Sequence, residues 1–141
     1  MSALGLKFFD KAIQDANIWL DDLMDKLDWD DKQSAFRLLR STLHTLRDRI
    51  PAEEAADLAA QLPTLLRGIF YESWQPGRPP TGEKTASEFA AKIDEAFPYR
   101  MNIDPETLVA AAFEVISDHI SEGEIANVKS CLPPDIRKMW T

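Results

Sequence analysis

The chain has 141 residues, of which 45% are hydrophobic and only five are glycine, a composition typical of a folded domain. Its formal net charge of −8 and its pI near 4.7 argue against duplex nucleic acid or an anionic membrane surface as a partner, because both attract clustered positive charge. The single cysteine, Cys131, cannot close an intramolecular disulfide.

The amino-terminal residues and the hydropathy pattern bear on where the protein resides. Charged residues interrupt the chain from Lys7 onward, so the apolar run of a signal peptide is missing. No stretch approaches the roughly 20 apolar residues of a membrane span. We therefore expect a cytoplasmic protein that binds neither membrane nor nucleic acid.

The first predicted helix is amphipathic. Its apolar residues step by three and four, which places them on one face that we expect to be buried. These residues are Phe9, Ile13, Ala16, Leu20, Leu23 and Leu27.

Capping residues and prolines mark the next three helices. Asp30 with Gln33 three residues later resembles a capping box and predicts the start of a second helix. Pro51 and Pro63 predict two further starts, because proline fits the first turn of a helix but not its interior. The expected inner residues are Phe36, Leu39, Leu43, Leu46, Ile50, Leu58, Leu62, Leu66, Ile69 and Phe70.

A segment rich in proline and glycine follows the fourth helix. Residues 75–85 hold three prolines and two glycines, which is typical of a linker. We therefore divide the chain into a helical unit over 1–75, a linker over 76–84 and a second helical unit over 85–141.

The second unit repeats the same capping signals. Thr85, Asp104, Ser121 and Pro133 each predict a helix start. The expected inner residues are Phe89, Ile93, Phe97, Leu108, Ala112, Ile116, Ile120, Ile125, Val128 and Trp140. The last helix is expected to end on Met139 and Trp140.

The two halves of the chain resemble each other. After a shift of 70 positions, residues 39–70 align with residues 109–140 without a gap, with seven identities and matched apolar positions. The identical pairs are Asp48/Asp118, Ile50/Ile120, Glu54/Glu124, Ala56/Ala126, Leu62/Leu132, Pro63/Pro133 and Arg67/Arg137. We predict an all-α fold of about eight helices in two related four-helix units, packed as one compact domain.

The repeated charged residues are interpreted as structural. Glu54 and Glu124 lie where a glutamate can satisfy free amides at a helix start. Arg67 and Arg137 can reach a nearby carboxylate or the carbonyl groups at a helix end. The alternative is catalysis, since paired carboxylates with an arginine can do chemistry. Duplicated residues are better explained by the shared fold, so we predict no catalytic residue, cofactor or metal.

Several runs match one prokaryotic family, the domain of unknown function 2267. They are LHTLRDRIPAEEAADLAAQLP (43–63), LRG (66–68), ISEGEI (120–125), LP (132–133), FF (8–9) and YESW (71–74). The sequence resembles that family over nearly its whole length. The resemblance implies a helical fold and a bacterial cytoplasmic protein, and it brings no activity or catalytic residue with it.

Two segments resemble ligand sites without meeting their requirements. Residues 77–85 come close to a phosphate-binding loop, but Glu83 is inserted where the anion would sit and two prolines remove amides that the phosphate needs. This favours a linker. The aspartates of the first helix and its exit do not have the spacing of a calcium loop, which favours a solvated acidic face. They are Asp21, Asp22, Asp25, Asp28, Asp30 and Asp31.

Six residues form the predicted interaction surface. Arg37, Arg40 and Arg47 flank the apolar face of the second helix, where they could clasp an anion or, as we favour, pair with the aspartates of the first helix. The aromatic residues at the unit ends are Tyr71, Trp74 and Trp140. Packing in the core or between the units is the favoured role of these aromatics, and a partner interface is the alternative.

These observations favour a non-enzymatic interaction or regulatory module that binds a protein partner or associates with itself. The alternative is a small-molecule-binding protein or an enzyme with its site between the two helical units.

Overall fold

A computed structural model describes residues 5–95 and 103–140 of the chain. Within these ranges the backbone forms eight α-helices and no strand, which confirms the predicted all-α fold. The helices are α1 (Lys7–Leu27), α2 (Lys32–Arg49), α3 (Ala52–Ala60), α4 (Thr64–Phe70), α5 (Ala86–Asp94), α6 (Pro105–His119), α7 (Glu122–Ser130) and α8 (Pro134–Arg137).

Six of the seven predicted helix starts coincide with an observed N-cap residue. Three of these residues, Thr85, Asp104 and Ser121, accept a hydrogen bond from a main-chain amide of the first turn. At Thr85 the box is complete, because Glu88 Oε1 accepts from the Thr85 amide at 3.1 Å. The six starts are Pro51, Pro63, Thr85, Asp104, Ser121 and Pro133.

The remaining predicted start was wrong by one residue. Asp31, not Asp30, caps α2, and its side chain accepts from the Gln33 amide at 3.1 Å and from Ser34 Oγ at 2.7 Å. Ser34, which follows Asp31 at the spacing of a first-turn partner, therefore fixes the cap one position later. The Ser34 hydroxyl also holds the pKa of Asp31 below its ordinary value.

One continuous apolar core draws side chains from both predicted units. Helix α2 packs against α1, α3, α4, α5 and α6, and α6 packs against α1 and α5. Most of the expected inner residues are buried, whereas Ala16, Leu27, Phe36 and Ile69 are partly buried at its margin. The predicted inward position of Phe97 lies outside the described residues.

The expected burial of Phe9 and Ile13, in the first two turns of α1, was wrong. Phe9 and Ile13 share the helical face of the buried Leu20 and Leu23, yet 45% and 43% of their surfaces are exposed. The periodicity of a helix fixes which face is apolar, but it does not fix how far along the helix other elements reach.

The helices after residue 39 follow the shift of 70 positions. Helices α3 and α7 start and end at matching residues, α2 and α6 end at matching residues, and α4 and α8 start at matching residues. Helix α3 also packs directly against α7. Superposition of residues 39–70 on 109–140 remains the test of the two-unit interpretation.

The linker lies against the end of α2 as an irregular segment. The Thr81 amide donates to the Asp48 carbonyl at 2.8 Å, and Arg49 Nε donates to the Glu83 carbonyl at 2.7 Å. Main-chain groups of the linker therefore anchor it to the end of α2. In the described parts of the chain, no helix combines the length and the apolar character needed to cross a bilayer.

Candidate functional site

Two members of the predicted interaction surface are buried. Trp140 is 2% exposed, stacks on Phe113 with ring centroids 4.1 Å apart, and donates a hydrogen bond to Ser117 Oγ. Arg47 is 6% exposed. Neither side chain is available to a partner in this fold, so the favoured packing role of Trp140 holds and Arg47 needs a different account.

Arg47 holds the end of α4 against α2. Its Nη1 donates to the carbonyl oxygens of Phe70 and Glu72 at 2.7 Å each, and its Nε donates to Asp48 at 2.9 Å. These carbonyls belong to the last turn of α4 and to the turn after it, where helices leave acceptors unpaired. The guanidinium therefore acts as a C-terminal cap supplied by another helix.

The predicted pairing of the α2 arginines with the α1 aspartates was wrong. Arg40 instead pairs with Glu72 through two bonds of 2.9 and 3.2 Å, and Arg37 is exposed. On α1, Asp22 meets His119 at 3.1 Å. Arg40 on α2 and Asp22 on α1 thus each contact a residue that tertiary packing brings close. Helical spacing alone does not reveal such partners.

Tyr71 and Trp74 remain partly exposed beside the linker. Their ring centroids are 5.0 Å apart, and Trp74 lines a cleft of about 90 Å³ together with Pro76 and Pro79. The cleft is smaller than a typical small-molecule site. The aromatic pair packs at the margin of the core, and Trp74 also borders the linker.

Four of the six large apolar side chains that are exposed in the described residues lie at the start of α1. Leu6, Phe8, Phe9 and Ile13 are 48%, 60%, 45% and 43% exposed, and the Phe8 and Phe9 rings meet edge to face at 6.0 Å. We call these four residues the α1 apolar end. Contiguous apolar surface of this kind marks contact sites on soluble proteins.

Three carboxylates meet where α3 packs against α7. One oxygen from each of Glu54, Asp57 and Glu124 lies within 4.8 Å of the others. Glu124 is 6% exposed, Glu54 is half-buried and Asp57 is exposed. We call these three residues the α3–α7 carboxylate cluster.

Local capping explains why these glutamates are not used at their own helix starts. Pro51 has no amide hydrogen, so Glu54 cannot complete a capping box with it. At α7 the Ser121 amide donates to Gln61 Oε1 at 2.9 Å, so the partner that Glu124 would serve is already taken. The predicted capping role of both glutamates was wrong, and the proline was the sequence signal that could have revealed it at Glu54.

The electrostatics of the cluster favour a proton on Glu124. Burial, and then the neighbouring carboxylates of Glu54 and Asp57, raise the pKa of Glu124 to about 8, while a hydrogen bond with Asn127 acts in the opposite direction. The Oε2 atoms of Glu54 and Glu124 are buried and have no hydrogen-bond partner among the described residues. The cluster thus holds acceptor oxygens without enough donors.

The repeated arginines make equivalent contacts, as predicted for structural residues. Arg67 donates to the carbonyls of Ala59 and Leu62 at 3.0 Å each. Arg137 donates to the carbonyls of Lys129 and Leu132 at 3.0 and 2.8 Å. Each acceptor pair matches the other after a shift of 70, and the predicted alternative of helix-end carbonyls is confirmed.

Across residues 5–95 and 103–140 these features define a small all-helical protein with a carboxylate cluster between two of its helices. A family model described as an uncharacterized conserved protein, DUF2267, matches residues 16–139. The chain belongs to that family, as its sequence runs suggested. No curated protein matches it significantly.

Proposed function

We propose that the chain is a non-enzymatic interaction module of the prokaryotic cytoplasm that associates with a second copy of itself through the α1 apolar end. The carrying observation is the exposure of Phe9 and Ile13 on the same helical face that is buried further along α1. A helix whose apolar face outruns its own core can bury the remainder only against another surface.

The charge distribution along α1 supports a second copy as the occupant. Residues 7–17 carry two lysines and two aspartates, whereas residues 18–27 carry three aspartates and one lysine. In a chain of net charge −8, the α1 apolar end is thus flanked by charges that cancel. Two identical acidic molecules can meet there without strong repulsion, and two-fold dimers are the commonest oligomers.

The commitment of the charged side chains supports a non-enzymatic role. The guanidinium groups of Arg47, Arg67 and Arg137 are all engaged with main-chain carbonyls. They stabilise helix ends instead of facing a substrate. The rival function, a ligand site between the two predicted units, is supported by the α3–α7 carboxylate cluster and by an open cleft of about 360 Å³ between Trp19, Leu62 and His119.

The test is analytical ultracentrifugation from micromolar to millimolar protein. We expect a monomer–dimer equilibrium, and Phe9→Lys or Ile13→Lys should weaken it at least about tenfold, because a lysine there must be desolvated on association. Ile18→Lys is the matched control. Ile18 is 54% exposed on the same helix, but nine residues from Phe9 place it on the opposite face.

Two results would overturn the proposal. A parent that stays monomeric over the whole range leaves the α1 apolar end to a different partner or to none. Equal weakening by Ile18→Lys would place the contact elsewhere on the helix.

A further inference from the structure

The α3–α7 carboxylate cluster has the geometry of a single-ion site. Glu54 and Asp57 are three residues apart on α3, which places both on one face of that helix, and Glu124 comes from α7. Ligand oxygens on opposite sides of a calcium ion are about 4.6–5.2 Å apart. Three oxygens within 4.8 Å of one another therefore lie close enough to converge on one ion after small side-chain rotations.

Two buried oxygens of the cluster, the Oε2 atoms of Glu54 and Glu124, lack a hydrogen-bond donor among the described residues. Only 6% of the surface of Glu124 is exposed, and its Oε2 has no hydrogen-bond partner in the described chain. The Oε2 atom of Glu54 is likewise buried without a hydrogen-bond partner. A buried carboxylate needs a hydrogen bond, a proton or a cation, because desolvation without compensation is costly. Glu54 and Glu124 can share one proton, or a cation can replace it.

We propose that Glu54, Asp57 and Glu124 bind one oxygen-preferring divalent cation, such as Mg²⁺, Mn²⁺ or Ca²⁺, between α3 and α7. Carboxylate oxygens are the ligands that these ions select, and the three side chains supply no nitrogen or sulfur. Asp57 lies at the exposed side of the site, so water can complete the coordination shell there. This site is independent of the proposed self-association.

The charged and titratable groups around Glu124 are Glu54 and Asp57 on α3 and Cys131 after α7, with the neutral Asn127 beside it on α7. All three titratable neighbours are anionic or neutral, so a divalent cation would meet no opposing positive charge among them.

The experiment measures cation binding to the full chain after treatment with a chelator. Isothermal titration calorimetry with MnCl₂, MgCl₂ and CaCl₂ separately should give one site per chain for at least one of these ions. The melting temperature should rise by several degrees when that ion is added, but not when KCl of matched ionic strength is added.

Variants at and beside the site separate binding from general acidity. Glu124→Gln and Glu54→Gln should each abolish the cation-dependent shift, and Asp57→Asn should weaken it. Glu53→Gln and Glu122→Gln are matched controls. Both glutamates are exposed, one on α3 and one on α7, and each substitution removes the same charge as a site variant. Both controls should keep the shift.

The proposal fails if all three ions act no more strongly than matched KCl, which would leave a shared proton as the whole explanation. It also fails if the two controls lose the shift together with the site variants. Should Glu124→Gln not fold, Glu54→Gln, at a half-buried position, provides the same readout.

Discussion

Two glutamates in the same helical position behave in opposite ways. Glu88 and Glu124 are each the third residue of their helix. Amides of Lys84 and Thr85 and the Thr85 hydroxyl hold the pKa of Glu88 below its ordinary value, whereas burial and two carboxylates raise that of Glu124. A side chain's charge state thus depends on whether donors or acceptors surround it, and its place in the helix does not decide this.

The arginine caps give a prediction at the scale of single residues. Arg67→Ala and Arg137→Ala should each lower the free energy of unfolding by about 1–2 kcal/mol, because each removes two or more hydrogen bonds to helix-end carbonyls that are partly open to water. Urea denaturation measures the loss. Arg78→Ala in the exposed linker is the control and should change stability by less than about 0.5 kcal/mol. Parent-like melts of both variants would contradict the capping role.

Helix starts were predictable from sequence because a cap is a local interaction. Thr85 and Glu88 need only each other to form their box, and Pro51 excludes a helix interior wherever it lies. The carboxylate cluster was not predictable, because Glu124 joins Glu54 and Asp57 only when α7 packs against α3. Arg40 illustrates the same limit, since its partner Glu72 lies 32 positions away.

The aromatic residues at the unit ends give a prediction at the scale of elements. Trp140→Ala should cost about 3–5 kcal/mol of folding free energy, because the ring is fully packed against Phe113 and follows the short helix α8. Trp74→Ala should cost clearly less, since Trp74 is partly exposed beside the linker. Denaturant melts of the two variants compare them directly. Equal losses would mean that the linker end is as tightly packed as the core.

The pH dependence of stability is a property of the whole molecule. Glu124 keeps its proton in the folded chain up to about pH 8 but loses it near 4.5 when unfolded, so the folded state binds more protons between these values. Stability should therefore fall as the pH rises through this window. Burial lowers the pKa of His44, which acts in the opposite direction below about pH 6.5.

The clearest window is therefore pH 6.5 to 8, in buffer with a chelator and no divalent cation. Across it the parent should lose about 1–2 kcal/mol of unfolding free energy, and Glu124→Gln should lose almost none. Urea melts at three pH values provide the measurement. A parent whose stability is flat or rises across this range would show that Glu124 is ionised in the fold at pH 6.5.

The reactivity of Cys131 should report whether a cation occupies the α3–α7 carboxylate cluster. Burial, and then the charges of Glu54 and Glu124, raise the pKa of this partly exposed thiol, which is the only cysteine in the chain. A cation that neutralises those carboxylates should lower the thiol pKa, and alkylation by iodoacetamide at pH 8 should accelerate. If adding the cation leaves the alkylation rate of Glu54→Gln unchanged, the acceleration in the parent comes from the α3–α7 carboxylate cluster. If the cation slows alkylation of the parent, the ion shields the sulfur instead. The alkylation rate of Cys131 can thus be used to follow cation binding without introducing a further reactive residue, in dilute solution or in a cell extract.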